Sequence, residues 1–415
     1  MAAPVNPRFG RGEMRISRRL TVLLLALGAM FLQQTFAALG KSLPPVIAPA
    51  IIADLRLDPA WLGIYVALAA LASLVFQLGC GSFIVRYGAL RTSQAALAML
   101  AFGLVAASAG PLALFALSAI IGGGGAAVST PASSHLLGRY SPPRYAPLVF
   151  SIKQTAVPAG LVLAGLLGPL LTAWSGWRGT LQIAAAGCFA FAVALEPLRK
   201  EFDADRVPER SFRLSDFGAT LAAVTRDRDL RALSLACFVF NGLQTVFTSY
   251  FVLYLTGLGY SLAAAGSVFS AAMLVAVPGR VLWGWLGSGH VAPRAVMGGL
   301  ALGMAASSAL TGLYGPLWPV LLVGLVASGL SATAMSWHGV LLAETARLAP
   351  EGSRGAATGG VLSFGQVGAL LLPLAYALLL GVTGSHGLGF MACAVPALLV
   401  GVVLLRTEEP PSRAG

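Results

Sequence analysis

G-S-F-I-V-R-Y-G-A-L-R (residues 81–91) and G-W-L-G-S-G-H-V-A-P-R (284–294) each run from a glycine to an arginine ten positions on, and each follows a long apolar run. The second begins 203 residues after the first. L-Q-Q-T-F (32–36) and L-Q-T-V-F (243–247) repeat the relation with Gln34 and Gln244 210 positions apart, and G-P-L opens apolar runs at 110–112 and 315–317. One match would mean little in so small an alphabet. Three in near register describe a unit that occurs twice.

The composition says what kind of unit. The chain has 415 residues, 57% of them hydrophobic and 10% charged, with a mean hydropathy of +0.82. A water-soluble fold cannot hide that much apolar surface, so the chain reads as an all-α integral membrane protein. Fifty glycines and 24 prolines suit a membrane bundle, where small residues bring helices together and neighbours absorb kinks. Apolar runs of about 20 residues predict about twelve transmembrane helices, at 20–39, 61–85, 93–109, 112–137, 146–171, 179–198, 232–256, 262–287, 294–313, 317–342, 356–380 and 388–405. The single long polar segment, 199–231, divides them into two pseudo-symmetric six-helix bundles, 1–198 and 232–415, joined by a cytoplasmic linker. In the linker Leu214, Phe217, Leu221 and Val224 recur at helical spacing, which predicts a short surface helix.

The net charge of +12 could suggest nucleic acid, but its placement excludes that reading. Arginines crowd the segment before the first span, the alternate loops (Arg86, Arg91, Arg139, Arg144, Arg294, Arg347, Arg354) and the linker. The opposite loops carry little beyond Lys41, Arg56, Arg178 and His386. This is the positive-inside pattern of a multi-pass protein of the bacterial inner membrane with both termini cytoplasmic. The four cysteines, Cys80, Cys188, Cys237 and Cys393, lie in separate apolar runs and read as small fillers, neither metal ligands nor disulfides. The start, I-S-R-R-L-T-V-L-L-L (16–25), mimics a signal peptide; with so many spans after it, a retained first helix is expected.

Over essentially its whole length the chain resembles the major facilitator superfamily. Residues 81–91 resemble that family's loop signature G-x-x-x-D-R-x-G-R-[RK], and G-W-R (176–178) resembles the turn between its fifth and sixth helices. The resemblance implies two bundles that rock about a central site, with Gly81, Arg86, Gly88, Arg91, Gly284 and Arg294 in the loops that switch between states. Val85 stands where the signature has Asp, and Ser288 holds the equivalent place in the second half. The family's carboxylate-to-arginine clasp is therefore expected to be weak or built differently. Gly160, Gly165, Gly168 and Pro169 resemble the glycine–proline motif of drug antiporters, with different spacing.

Chemistry concentrates where polar groups interrupt apolar runs. Lys153 in S-I-K-Q-T-A-V-P-A-G (151–160) lies about 10 Å inside the fifth helix. Leu148, Ile152, Ala159, Leu163, Leu166 and Leu170 make a broad greasy face, and Lys153 sits about a quarter-turn from it, toward protein or water. Snorkelling to the headgroups is the alternative. Arg280 in V-P-G-R-V-L-W-G (277–284) is the second embedded cation; Phe269, Met273, Val277 and Gly284 share its face while Val275 and Leu282 point away. It is either a gate bonded to backbone carbonyls or a two-pronged clamp for a carboxylate. By position it is similar to the arginine that holds the substrate carboxylate in oxalate/formate antiporters and monocarboxylate transporters. No Asp or Glu falls in mid-helix, so neither cation has an obvious counter-ion, and an anionic substrate would supply one. Gln34, Gln154, Asn241, Gln244 and Gln366 are expected to orient that substrate or to bond across helices. His135 and His338 are either proton-linked or structural.

These readings predict a secondary active transporter of a small organic anion, a carboxylate, working by alternating access with a proton or a counter-transported anion as partner. No enzyme constellation, metal or cofactor is expected. The alternatives are an efflux transporter of the same fold for neutral or aromatic compounds, and a non-transporting membrane sensor.

Overall fold

In the computed structural model, which describes residues 9–142, 146–209, 224–349 and 354–406, the expected helices are present and no strand occurs among the described residues. In chain order they are α1 (Phe9–Val46), α2 (Ala48–Leu55), α3 (Trp61–Tyr87), α4 (Ala89–Ser108), α5 (Leu112–Tyr140), α6 (Ala146–Gln154), α7 (Ala156–Ala194), α8 (Arg228–Gly257), α9 (Leu262–Trp285), α10 (Pro293–Gly312), α11 (Val320–Ala334), α12 (His338–Leu348), α13 (Arg354–Thr383) and α14 (His386–Arg406). The linker helix expected around residues 214–224 falls almost wholly outside the described residues.

Among the described residues, eleven segments are long and apolar enough to cross a membrane, and one of them, Val149–Phe202, is 54 residues long. A straight helix of that length would reach about 80 Å, far beyond a hydrocarbon core of about 30 Å. It turns back at Gly176, where φ is +70° and ψ 170°, a conformation open to glycine but costly for other residues. Both arms touch the same part of α1. Gly160 abuts Thr35 and Ala38, while Cys188 approaches the Phe36 carbonyl at 3.7 Å. The 54 residues therefore make the fifth and sixth spans, and the total is the expected twelve. The turn is anchored by Asp54, which accepts from Trp177 Nε1 (2.9 Å) and Arg178 Nη1 (2.8 Å). The G-W-R turn is thus tied to the end of α2.

Three differences from the expected spans matter for the site. The first span continues past residue 39 to Val46, through Pro44 and Pro45, so Lys41 lies within a helix rather than in a loop. The tenth is broken between Ala334 and His338 and ends at Leu348. Glu344, expected just outside that span, is buried on α12 and paired with Arg347 at 2.6 Å. The fifth is interrupted at Thr155, between α6 and α7.

The lipid face agrees with the sequence reading. Ile152, Leu163, Leu166 and Leu170 are all exposed. On α9 Leu282 and Val275 are exposed, whereas Phe269 and Met273 are fully buried. Small residues set the closest helix crossings. At the end that carries Asp54, Gly165 of α7 abuts Gly266 and Ser270 of α9, and Ser270 Oγ donates to the Val162 carbonyl at 2.9 Å. Nearby, Gly63 of α3 abuts Ala377 of α13. A side chain at either glycine would push these helices apart.

At the opposite end, the 81–91 loop shows how the missing aspartate is replaced. Gly88 has φ +99°, and a Cβ there would collide with Asp203. Asp203 Oδ1 and Oδ2 accept from the backbone N–H groups of Leu90 (2.7 Å) and Arg91 (3.0 Å), capping α4 from more than a hundred residues away. Arg91 lies 3.5 Å from Glu196, and Arg294 in the second copy of the loop pairs with Asp229 at 2.6 Å. Arg86 is exposed over the ring of Tyr87. Gly81 and Gly284 face open space. The carboxylates come from helix ends elsewhere in the chain, which no local motif could have shown.

Candidate functional site

A cavity of about 260 Å³ opens among the helices of both sequence repeats, a volume suited to a small metabolite. Its walls include Gln34 and Lys41 of α1, Gln154 of α6, Arg280 of α9 and His338 of α12. Asn241, Gln244 and Gln366 also line it. Six of the seven residues expected to bind substrate therefore share one cavity. No Asp or Glu is among the described residues that line it.

Local backbone chemistry explains why Arg280 sits where it does. In an uninterrupted helix the carbonyl of Gln154 would accept from residue 158, but Pro158 has no N–H to give. The carbonyl of Met335 falls in the break between α11 and α12. Arg280 donates to both, from Nη1 to Gln154 at 2.5 Å and from Nε to Met335 at 2.7 Å. One guanidinium thereby pins two broken helices to α9. Its Nη2 makes no hydrogen bond to any described residue, leaving one donor edge on a residue of the cavity wall.

Lys153 is placed differently from the expectation. It is 0% exposed, it is not on the cavity wall, and its Nζ has no hydrogen-bond partner. The same geometry excludes snorkelling, because the side chain reaches neither solvent nor the lipid face. Its charge acts on Arg280 and on His338. His338 stacks on Trp337 with ring centroids 3.6 Å apart, and its Nδ1 is buried without a partner. His135 is remote from this cluster: its Nε2 lies 3.0 Å from Asp205, which also pairs with Arg139 at 2.8 Å.

The amides are mostly engaged. Gln34 Oε1 accepts from Thr130 (3.3 Å), Asn241 Nδ2 donates to the Gly365 carbonyl (2.8 Å) and Gln244 Oε1 accepts from Trp337 Nε1 (3.0 Å). Gln366 Nε2 donates to Gln77 Oε1 at 2.8 Å, joining α13 to α3 across the two repeats. Their remaining donors and acceptors are what a ligand could use.

Sequence reasoning missed Lys41 and Gln77. The signal for Lys41 was available: it follows Gln34 by seven residues, two helical turns, and so shares its face. Lys41 is exposed to the cavity and has no partner among the described residues.

Twelve spans among the described residues, helices broken beside a central polar cavity, and a repeat that supplies both walls define a membrane transporter, not an enzyme. The chain belongs to the Major Facilitator Superfamily, whose family profile matches residues 30–337. No curated protein matches it in sequence. Among solved structures it is similar to a D-xylose–proton symporter, with TM-score 0.71, 16% identity, and 93% of this chain and 97% of that one covered. It is also similar to a bacterial homolog of the human lysosomal transporter Spinster in its inward-facing, unoccupied conformation, with TM-score 0.72, 16% identity, and coverage of 94% and 99%. A third is a POT family transporter in complex with 5-aminolevulinic acid, with TM-score 0.70, 16% identity, and coverage of 91% and 95%. At that identity the likeness is one of fold.

Proposed function

We propose that this transporter carries a small organic anion, of the carboxylate class, by alternating access across a bacterial inner membrane. Residues 1–198 and 232–415 are the two rocking units, 199–231 is the linker, and the positive-inside charge pattern puts both termini in the cytoplasm. The observation that carries the substrate class is the cavity's charge. Lys41 and Arg280 line it, Lys153 adds its field from behind the wall, and among the described residues no carboxylate lines it to neutralise them. Uncompensated cations in a low-dielectric site are costly, and a bound anion relieves that cost. The free edge of Arg280 holds the substrate carboxylate, while Gln34, Gln154, Asn241, Gln244 and Gln366 orient the rest. The loops bearing Gly81, Arg86, Gly88, Arg91, Gly284 and Arg294 govern the switch.

One observation favours a second reading. Arg280 already spends two donors on backbone carbonyls, as a purely structural arginine would, and the cavity would then suit a neutral or aromatic compound. A thermal-shift screen of mono- and dicarboxylates against neutral aromatics on the purified protein separates the two. Stabilisation by carboxylates that is lost in Arg280→Ala supports the anion. Stabilisation by neutral aromatics that survives in Arg280→Ala overturns it.

A further inference from the structure

We propose that the anion is a polyhydroxylated carboxylate, recognised through its hydroxyl groups by oxygens of the cavity wall that a bare carboxylate cannot satisfy. The inference rests on the anion reading above and narrows its substrate class. It follows from the hydrogen bonds that the wall has already made. Gln244 Oε1 is spent on Trp337 Nε1, so the group left to a ligand is its Nε2 donor. Asn241 Nδ2 is spent on the Gly365 carbonyl, so its unused atom is the acceptor Oδ1. The Gln77–Gln366 pair leaves one donor, Gln77 Nε2, and one acceptor, Gln366 Oε1. Gln34 keeps its Nε2 after Oε1 has accepted from Thr130. The Gln154 side chain makes no hydrogen bond to any described residue and offers both kinds of group. Thr245 Oγ1 donates to the Asn241 carbonyl (2.7 Å) and Thr248 Oγ1 to the Gln244 carbonyl (3.1 Å), one turn back on α8. Their lone pairs alone are left for the cavity that both residues line.

The wall thus mixes unused donors with unused acceptors, and the two want different partners. An ionised carboxylate only accepts. It suits Arg280, Lys41 and the amide N–H groups, but against Asn241 Oδ1, Gln366 Oε1 or the threonine oxygens it meets like polarity. An acceptor shut off from water without a donor is costly, and a second carboxylate on the ligand has the same defect. An ammonium would donate, but it would share the cavity with Lys41 and Arg280, and among the described residues no carboxylate lines the wall to offset it. A neutral hydroxyl meets both demands, giving one proton and accepting on two lone pairs. Unused donors and acceptors come from both repeats, Gln34, Gln77 and Gln154 from one and Asn241, Gln244 and Gln366 from the other. An acid with hydroxyls on several carbons engages both sets at once. A site built to bond substrate hydroxyls rejects the analogue that lacks them, because its own polar groups are then left unpaired.

The test is isothermal titration of the purified full-length protein with matched acids: gluconate against hexanoate, malate against succinate, and lactate against propionate. In at least one pair the hydroxylated acid is expected to bind at least about tenfold tighter than its hydroxyl-free partner. Gln154→Leu, which removes a side chain that bonds no described residue, is expected to reduce that ratio at least about threefold. Asn241→Ala, which removes an acceptor, is expected to do the same and serves should Gln154→Leu fail to fold. A ratio below about tenfold in every pair, or one that neither variant lowers by that much, overturns the inference while leaving the anion reading intact. Sorbitol, which has the hydroxyls without the carboxylate, is expected to bind at least about tenfold weaker than the best-bound hydroxy acid; a smaller difference removes the anion reading and the inference with it. Absence of binding by every acid also removes both.

Discussion

Arg280 completes a hydrogen bond that Pro158 cannot make: its Nη1 donates at 2.5 Å to the Gln154 carbonyl, which in a regular helix would meet the N–H of residue 158. The proline and the arginine lie on different spans, yet each accounts for the other. A buried carbonyl left unsatisfied costs about 1–3 kcal/mol, and Arg280 satisfies two.

Arg280→Ala is therefore expected to lower stability by about 2–6 kcal/mol, read as thermal unfolding in detergent. Pro158→Ala gives the Gln154 carbonyl a donor of its own. In that background Arg280→Ala should be less harmful, by a coupling of about 1 kcal/mol. Additive effects would show that the two residues are independent.

Two acidic residues outside the spans should titrate with opposite sign. Hydrogen bonds from Trp177 and Arg178 hold the Asp54 carboxyl below its ordinary value. The stability it contributes is present above that ordinary value, about 4, and is lost as pH falls through the lowered one. Burial pushes the Asp203 carboxyl up, against the pull of the Leu90 and Arg91 N–H groups. Its contribution is complete below the ordinary value and is lost as pH rises through the raised one. Melting curves from about pH 3 to 7 should show Asp54→Asn falling behind wild type as pH rises, and Asp203→Asn gaining on it. Parallel curves for both variants would contradict the assignment.

Gln77 and Gln366 bridge α3 and α13 at 2.8 Å. Replacing one by Leu orphans the other, whereas replacing both leaves an apolar contact. The double variant should be more stable than the sum of the singles by about 0.6–1.7 kcal/mol. Transport should slow in each single variant if the bridge forms and breaks in the cycle; unchanged rates would make it a static contact.

A side chain on Gly266 would collide with the Gly165 carbonyl. Gly266→Val should therefore disfavour the packed state of the Asp54 end. Spin labels at Ala60, just before α3, and at Gly381 of α13, which lie close together, should shift toward longer distances. An unchanged distribution would mean that this crossing does not control closure.

The helices, their number and the lipid face were legible because membrane burial writes them into long runs and a 3.6-residue period. Ile152, Leu163, Leu166 and Leu170 needed nothing more. The two embedded cations were legible because a charge in an apolar run is conspicuous. What those cations do locally was not. Lys153 and Gln154 are adjacent, yet only the second reaches the cavity, because neighbours on α6 point about 100° apart. Lys41 looked like the end of a span, since a lysine ordinarily stops an apolar run, and only the continuation of α1 to Val46 turns it inward. The Asp203 cap and the Gln77–Gln366 bridge join segments more than a hundred residues apart. One sequence without its fold gives no means of pairing them.

The central claim is that the cavity's uncompensated positive charge selects an anion. Uptake of radiolabelled succinate, oxalate and lactate into proteoliposomes, with protein-free vesicles as the blank, tests it most directly. Saturable uptake of at least one of them, reduced at least about tenfold in Arg280→Ala, is the expected result, since tenfold corresponds to only about 1.4 kcal/mol of lost interaction. Saturable transport of a neutral aromatic compound, indifferent to carboxylates and to Arg280→Ala, would contradict it.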